Sequence, residues 1–124
     1  MTFDPAAALV HYHALLDAHD VNGVARLLAP EVHYVSAGLG NVTGREAVLQ
    51  SMRDYFATCP DHQAFDDEVK ALGPRVAQSL WRLRGTNRHT GVVVERHGIE
   101  TVTFDADGLV LSILVEDRGE THSL

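Results

Sequence analysis

Three side chains of this sequence combine acid–base chemistry with apolar neighbours: Tyr12, Glu100 and Asp117. A carboxylate that is partly desolvated beside a substrate can act as a general base, because its pKa moves toward neutrality. A phenol on the inward face of a helix can donate a hydrogen bond to the oxygen of a developing enolate. The residue types therefore indicate proton transfer next to a carbonyl group, provided that the fold gathers them around one cavity.

Glu100 lies in a long β-like stretch whose alternation places it on an apolar face. Val102 and Phe104 share its side of the strand. A carboxyl group among such residues has a raised pKa where water is excluded. The structural alternative is an ion pair with Arg96, which is four residues earlier on the same strand, and the sequence leaves both interpretations open.

Asp117 and Tyr12 each have a functional and a structural interpretation as well. Alternation sets Asp117 with Ile113 and Val115, where it can serve as the base, but it can equally be a solvated carboxylate beside Arg118. Tyr12 can be an oxyanion donor or a core tyrosine whose hydroxyl meets a backbone carbonyl.

A partly aromatic wall is predicted around these groups. Tyr34, Ser36, Ser79 and Trp81 share inward positions on their strands, although such residues more often only pack, and Trp81 can be core. The predicted apolar contacts of a ligand are Met52, Val102, Ile113 and Val115.

Metal and cofactor chemistry is not indicated, even though the chain has eight histidines. His11 and His13 form an HxH pair, but residues two apart on a helix point about 200° apart around its axis and cannot share an ion. His19 could approach the cavity, although its place at a helix end explains it equally well. We find no glycine-rich phosphate loop and no nucleophile elbow, so we predict neither a metal nor a cofactor.

The composition of the chain excludes some classes of binding partner and indicates its cellular compartment. A net charge of −7 without a basic stripe argues against nucleic acid and anionic lipid as partners. No apolar run is long enough to span a bilayer, and the N-terminus does not have the features of a signal peptide. The single cysteine, Cys59, excludes an internal disulfide and fits a cytoplasmic protein. We expect one domain in 124 residues.

Two helices are predicted at the N-terminus and a third in the middle of the chain. Asp4 and Pro5 are typical of an N-cap and first turn, and this helix should end near His19. Asp20 should cap a short second helix that reaches Leu28. The stretch TGRE at 43–46 has capping-box spacing and predicts a third helix that ends near residues 59–60.

The remaining chain is predicted to form strands. Residues 32–36 alternate and precede a glycine-rich loop at 37–42, and four further strands follow at about 63–72, 75–85, 92–104 and 109–117. Gly98 is a candidate β-bulge. Long bent strands that follow the helices favour an α+β fold, in which a curled antiparallel sheet wraps around three helices in the order α-α-β-α-β-β-β-β.

This order resembles the nuclear transport factor 2-like superfamily, in its ketosteroid isomerase and SnoaL-like polyketide cyclase branch. The stretches DVNGVARLLAPEVHYVS, TGREAVLQSMRDYF and ETVTFDADGLVLSILVEDR carry the resemblance. It implies that residues 1–124 form a single conical domain with an apolar pocket, and a homodimer joined through the outer sheet face.

The resemblance also suggests roles for individual residues. Tyr12 and Glu100 match the two oxyanion donors of ketosteroid isomerases, and Asp117 matches the base of SnoaL-like cyclases. Ser36 stands where the isomerases carry their proton-shuttling aspartate, so steroid isomerisation by that mechanism is not expected. Limonene epoxide hydrolases need an arginine at the position of Gly98, so their reaction is also not expected, unless a bulge lets Arg96 replace it.

We therefore expect a cofactor-free acid–base enzyme that acts on a small apolar molecule with a carbonyl group or several rings. Asp117 would move the proton, while Tyr12 and Glu100 would stabilise the enolate oxygen. The alternative is a non-catalytic domain of the same fold that binds a small ligand or mediates dimerisation.

Overall fold

The computed structural model describes residues 2–37 and 39–123, which form three helices and a six-stranded sheet. The helices are α1 (Pro5–Asp17), α2 (Val21–Ala25) and α3 (Arg45–Thr58). The strands are β1 (Leu28–Ser36), β2 (Gly40–Thr43), β3 (Gln63–Gly73), β4 (Val76–Thr86), β5 (Val93–Phe104) and β6 (Val110–Ser123). The predicted α+β fold is confirmed, with one strand more than expected.

Helices α1 and α2 begin at the predicted caps. The Asp4 carboxylate accepts a hydrogen bond from the Ala7 amide at 3.1 Å, and the Asp20 carboxylate accepts one from the Gly23 amide at 2.9 Å. Helix α2 ends earlier than predicted, because Leu28 already pairs with Val110 in the sheet. Pro30 lies inside β1, at an irregularity in the pairing of this strand with β6.

The predicted capping box of α3 is wrong. Gly44 is the N-cap, and no side chain makes a capping hydrogen bond there. Gly44 has φ +99°, a left-handed backbone conformation that glycine adopts readily, and its amide donates to the Val32 carbonyl at 2.8 Å. Thr43 is consequently the last residue of β2, where it pairs with His33.

The sheet runs β2-β1-β6-β5-β4-β3 and curls around the helices without closing. All neighbouring pairs are antiparallel except β1 and β6, which are parallel, so the sheet is mixed rather than purely antiparallel. The unpredicted strand β2 lies in the expected glycine-rich loop and forms a hairpin with β1, in which Ser36 pairs with Gly40.

The predicted bulge at Gly98 is present as a register shift between His97 and Gly98 against β6. Gly98 has no space for a side chain. A Cβ there would overlap the Glu116 carbonyl oxygen and would lie 2.8 Å from Cζ2 of Trp81. The close approach of three strands at this point therefore requires glycine.

The inner face of the sheet and the helices α1 and α3 enclose the core. Its fully buried side chains include Leu9 and Tyr12 of α1, Val48 of α3, and Val102 and Ile113 of the sheet. Within the part of the chain that the structure describes, no helix is both long and apolar enough to cross a bilayer.

The outer face of the sheet carries exposed apolar residues. Leu80 pairs with Ile99, and Leu114 pairs with Thr101 two residues further along the same strand, so these side chains share one face. Leu80 and Leu114 are 38% and 42% exposed. The homodimer expected through this face stays a prediction.

Candidate active site

A cavity of about 140 Å³ opens between the inner face of the sheet and the helices α1 and α3. Apolar and aromatic side chains make up most of its wall, among them Leu16, Met52, Phe56 and Leu83. Charged residues enter it from α1, β3 and β5. It therefore combines an apolar volume with a few polar groups, which is the usual composition of a small-molecule site.

Glu100 lines this cavity and is 6% exposed. Its Oε1 atom lies 2.6 Å from Nε2 of His13, a residue of α1. Its Oε2 atom makes no hydrogen bond within the described residues, and it is not sealed off from solvent. One oxygen of this carboxylate is thus held by an imidazole, and the other is open.

His13 connects Glu100 to a second carboxylate, that of Asp66 on β3. Nδ1 of His13 lies 2.8 Å from the Asp66 carboxylate, which also accepts a 2.7 Å hydrogen bond from the hydroxyl of Ser79. Burial by itself lowers the pKa of His13, but the two carboxylates outweigh it and raise this pKa to about 10. Burial raises the pKa of Asp66, and the bonds from His13 and Ser79 more than reverse that effect, so its net pKa is lowered. At neutral pH an imidazolium therefore joins two carboxylates.

Arg96 and Asp117 form a second charged pair beside the cavity. The guanidinium donates from Nε to Oδ2 of Asp117 at 2.8 Å, and Nη2 contacts the same oxygen. Arg96 lines the cavity, whereas Asp117 is not among the lining residues. The register shift between His97 and Gly98 in the β5–β6 pairing lies next to this pair, and a replacement of the missing arginine by Arg96 stays a prediction.

Tyr12 and Tyr34 lie near Glu100 but differ in their access to the cavity. Tyr34 is a lining residue. Tyr12 is fully buried and is not one, and its hydroxyl has no hydrogen-bond partner within the described residues. Burial raises the pKa of Tyr12 well above its usual value, and Tyr34 and Glu100 raise it further. The predicted oxyanion donor is thus close to the carboxylate but enclosed.

The other predicted contact residues divide into two groups. Ser36, Met52, Trp81 and Val115 line the cavity together with Tyr34. Ser79, Val102 and Ile113 are buried behind the wall, where Ser79 supports Asp66. Their roles in ligand binding remain predictions.

A pair of neutral side chains, Tyr55 and His62, lines the cavity near the start of β3. The Tyr55 hydroxyl lies 2.7 Å from Nδ1 of His62. The carbonyl of His62 faces Nε2 of His19 at 3.3 Å, and His19 stacks on Phe56 with ring centroids 4.1 Å apart. His19 therefore approaches the cavity wall through aromatic contacts.

Sequence reasoning missed His13 and Asp66 as members of the site. A usable signal existed for His13, because Leu9, His13 and Leu16 follow the i, i+4, i+7 spacing of one helix face. Nothing in the sequence indicated that α1 would bring this histidine to Asp66, since that contact depends on long-range packing. Among the residues whose side chains the structure describes, no cluster of His, Cys, Asp and Glu is arranged to hold a metal ion.

The fold and the cavity together define a nuclear transport factor 2-like domain. The sequence profile of the SnoaL-like domain matches residues 9–113. The chain belongs to this SnoaL-like family. No curated protein sequence matches the chain at a significant level.

Several solved structures have a similar fold although their sequence identity to this chain is low. A computationally designed 17-OHP binder is similar with a TM-score of 0.84 and 19% identity, over 98% of this chain and 100% of that one. RV0760c from Mycobacterium tuberculosis in complex with estradiol-17beta-hemisuccinate has a TM-score of 0.79 and 20% identity, over 91% and 93% of the two chains. The Delta 5-3-ketosteroid isomerase from Mycobacterium sp. has a TM-score of 0.82 and 15% identity, over 96% and 98%.

Proposed function

We propose that this chain is an acid–base enzyme that binds a small ring ketone in its cavity and moves a proton at the carbon next to the carbonyl. The observation that carries the proposal is the carboxylate of Glu100, which is 6% exposed, lines an apolar cavity and keeps Oε2 open while Oε1 is bonded to His13. A carboxylate that lines a ligand cavity and has one oxygen without a protein partner can accept a proton from a bound molecule, which is what a general base requires.

In the proposed step, Oε2 of Glu100 takes the proton from the α-carbon of the ketone. The C–H electron pair becomes the C=C bond of an enolate, and the carbonyl electrons move to its oxygen. Return of a proton to the same carbon, or to another carbon of the conjugated system, restores the carbonyl and the carboxylate. The overall reaction is an isomerisation or an exchange and consumes no other reactant.

His13 and Asp66 act as positioning residues in this proposal. The 2.6 Å bond from His13 fixes the Glu100 side chain, and the 2.8 Å contact with Asp66 fixes the imidazole in turn. The positive charge of His13 offsets the two carboxylates, so the cavity does not carry two unbalanced negative charges.

Arg96 and Tyr34 are the proposed stabilisers of the enolate oxygen. Both line the cavity, and Tyr34 lies within electrostatic reach of Glu100, Arg96 and Asp117. A cation or a phenol aimed at a developing negative charge lowers the barrier most where water is excluded. Glu100 thereby takes the proton-moving role that the sequence suggested for Asp117, because Glu100 lines the cavity and Asp117 does not.

The cavity volume sets the proposed size of the ligand. At about 140 Å³ it is smaller than the roughly 300–1,000 Å³ of sites for drug-sized molecules. A ligand of one or two rings fits this volume without rearrangement. The steroid named with RV0760c and the ketosteroid isomerase among the similar structures support a ring-containing ligand in general.

The test is hydrogen exchange at the α-carbon of 2-tetralone, a bicyclic ketone, in D₂O. We expect the wild-type chain to accelerate deuterium incorporation, measured by proton NMR, and Glu100→Gln to lose roughly 10²–10⁴-fold of this rate. The matched control is Glu116→Gln, which removes an exposed carboxylate on the neighbouring strand and should leave the rate unchanged.

Binding must be measured beside the exchange rate. If 2-tetralone binds and the wild type does not accelerate exchange, the chain is a binding domain of this fold and the enzyme proposal is wrong. If Glu100→Gln retains the full rate, Glu100 is not the base.

A further inference from the structure

The Tyr55–His62 pair is a polar group of the cavity that the proposed proton transfer does not use. Tyr55 belongs to α3, and His62 directly precedes β3. Their side chains meet at 2.7 Å through the Tyr55 hydroxyl and Nδ1 of His62, and the two rings pack edge to face with centroids 5.1 Å apart. This bond fixes the orientation of the imidazole at the cavity wall.

Both side chains are neutral near pH 7. Burial lowers the pKa of His62 to about 4, with a further contribution from the charge of His19. Burial also raises the pKa of Tyr55 to about 12. The Tyr55–His62 pair itself therefore carries no charge, and Arg96, the cation within electrostatic reach of Tyr55, is paired with Asp117.

The remaining ring nitrogen of His62 is available for a ligand. Nε2 makes no hydrogen bond within the described residues, and it is accessible, in contrast to the enclosed Nε1 of Trp81. Its role depends on the tautomer. If Tyr55 donates to Nδ1, Nε2 carries a proton and donates; if Nδ1 donates to Tyr55, Nε2 accepts.

The Tyr55–His62 pair lies apart from the charged side chains of His13, Asp66 and Glu100. Strand β3 runs from Gln63, next to His62, to Asp66, which contacts His13. Three residues of extended strand span roughly 10 Å. A molecule of two fused rings can reach from one polar end of the cavity to the other.

We propose that Tyr55 and His62 form a second binding subsite, which takes a hydroxyl group of the ligand at the end opposite to Glu100. A hydroxyl both donates and accepts, so it satisfies Nε2 of His62 in either tautomer, whereas a carbonyl oxygen satisfies only one. A carboxylate is not expected there, because neither side chain supplies a positive charge. The ligand class is thus a neutral ring ketone with a hydroxyl at its far end, and this inference rests on the proposed use of the cavity.

The experiment compares two ketones that differ only in that group. Isothermal titration calorimetry gives the Kd of 2-tetralone and of 6-hydroxy-2-tetralone, whose hydroxyl lies at the end of the bicycle away from the carbonyl. We expect the hydroxyl compound to bind the wild type roughly three- to tenfold more tightly, the value of one neutral hydrogen bond.

Three variants assign the preference to this subsite. Tyr55→Phe and His62→Leu should reduce this preference, measured as the ratio of the two Kd values within each variant, to less than twofold. His11→Leu is the matched control, because it removes an exposed histidine of α1 and should keep the preference. Thermal melts confirm that each variant is folded, and Tyr55→Phe is the milder change if His62→Leu is unstable.

The outcomes separate this inference from the proposed function. Equal affinity of the two ketones for the wild type, or a preference that survives in both subsite variants, would overturn the subsite alone. Failure of the wild type to bind either ketone would overturn the cavity as a ligand site, and the subsite with it.

Discussion

Replacing His13 by glutamine removes the cation between Glu100 and Asp66 and leaves two carboxylates on either side of a neutral amide. The imidazole is held at 2.6 Å from one carboxylate and 2.8 Å from the other, and its side chain is 16% exposed. The loss of a largely buried charge from such a network is costly, because the remaining charges keep their desolvation without their partner.

The stabilisation that the charged His13 contributes can be worked out from its pKa. Although burial opposes protonation, the carboxylates raise this pKa from 6.5 to about 10, and each pKa unit corresponds to about 1.4 kcal/mol. The stabilisation is therefore on the order of 3–5 kcal/mol. Because the folded-state pKa is the higher one, this stabilisation is complete below pH 6.5 and is lost as the pH rises through about 10.

Urea unfolding of the wild type and His13→Gln at several pH values measures this effect. The difference in the free energy of unfolding should be on the order of 3–5 kcal/mol at pH 6 and should shrink steadily toward pH 10. His11→Gln serves as the control, since His11 is exposed on the same helix and its loss should change the stability by less than about 0.5 kcal/mol. A gap between wild type and His13→Gln that is equally large at pH 6 and pH 10 would refute the buried imidazolium.

Two further substitutions test the packing around the site. Tyr12→Phe removes an enclosed hydroxyl that has no partner within the described residues, so we expect urea unfolding to show a gain of about 1 kcal/mol; a loss of stability would mean that the hydroxyl is hydrogen-bonded. Gly98→Ala forces a Cβ against the Glu116 carbonyl and Trp81, and we expect it to cost more than about 2 kcal/mol. Gly73→Ala, where a Cβ meets nothing within 4 Å, should change the stability by less than about 0.5 kcal/mol, and equal effects of the two alanines would contradict the close packing at Gly98.

Local signals were sufficient for much of the fold. The Asp4 cap and Pro5 defined the start of α1, and the alternation of β5 predicted that Glu100 faces inward with Val102. The bulge was predictable because a glycine interrupted a long strand. These features depend on residues that are close in the sequence, so the spacing of residue types predicts them directly.

The remaining features depend on contacts between distant segments. The apparent capping box at Thr43 failed because the chain uses Thr43 in β2 and turns at Gly44 instead. The bond between His13 and Asp66 joins residues 53 positions apart, and the pairing of Arg96 with Asp117 requires the exact register of β5 on β6. Residue spacing within one segment contains no information about such register.

The position of a bound ketone tests the central claim most directly. A crystal structure of the chain with 2-tetralone should show the ligand in the cavity, with its α-carbon within about 3.5 Å of Oε2 of Glu100, which is the separation needed for proton transfer. A ligand bound on the outer face of the sheet, or one whose α-carbon is turned away from Glu100, would contradict the account.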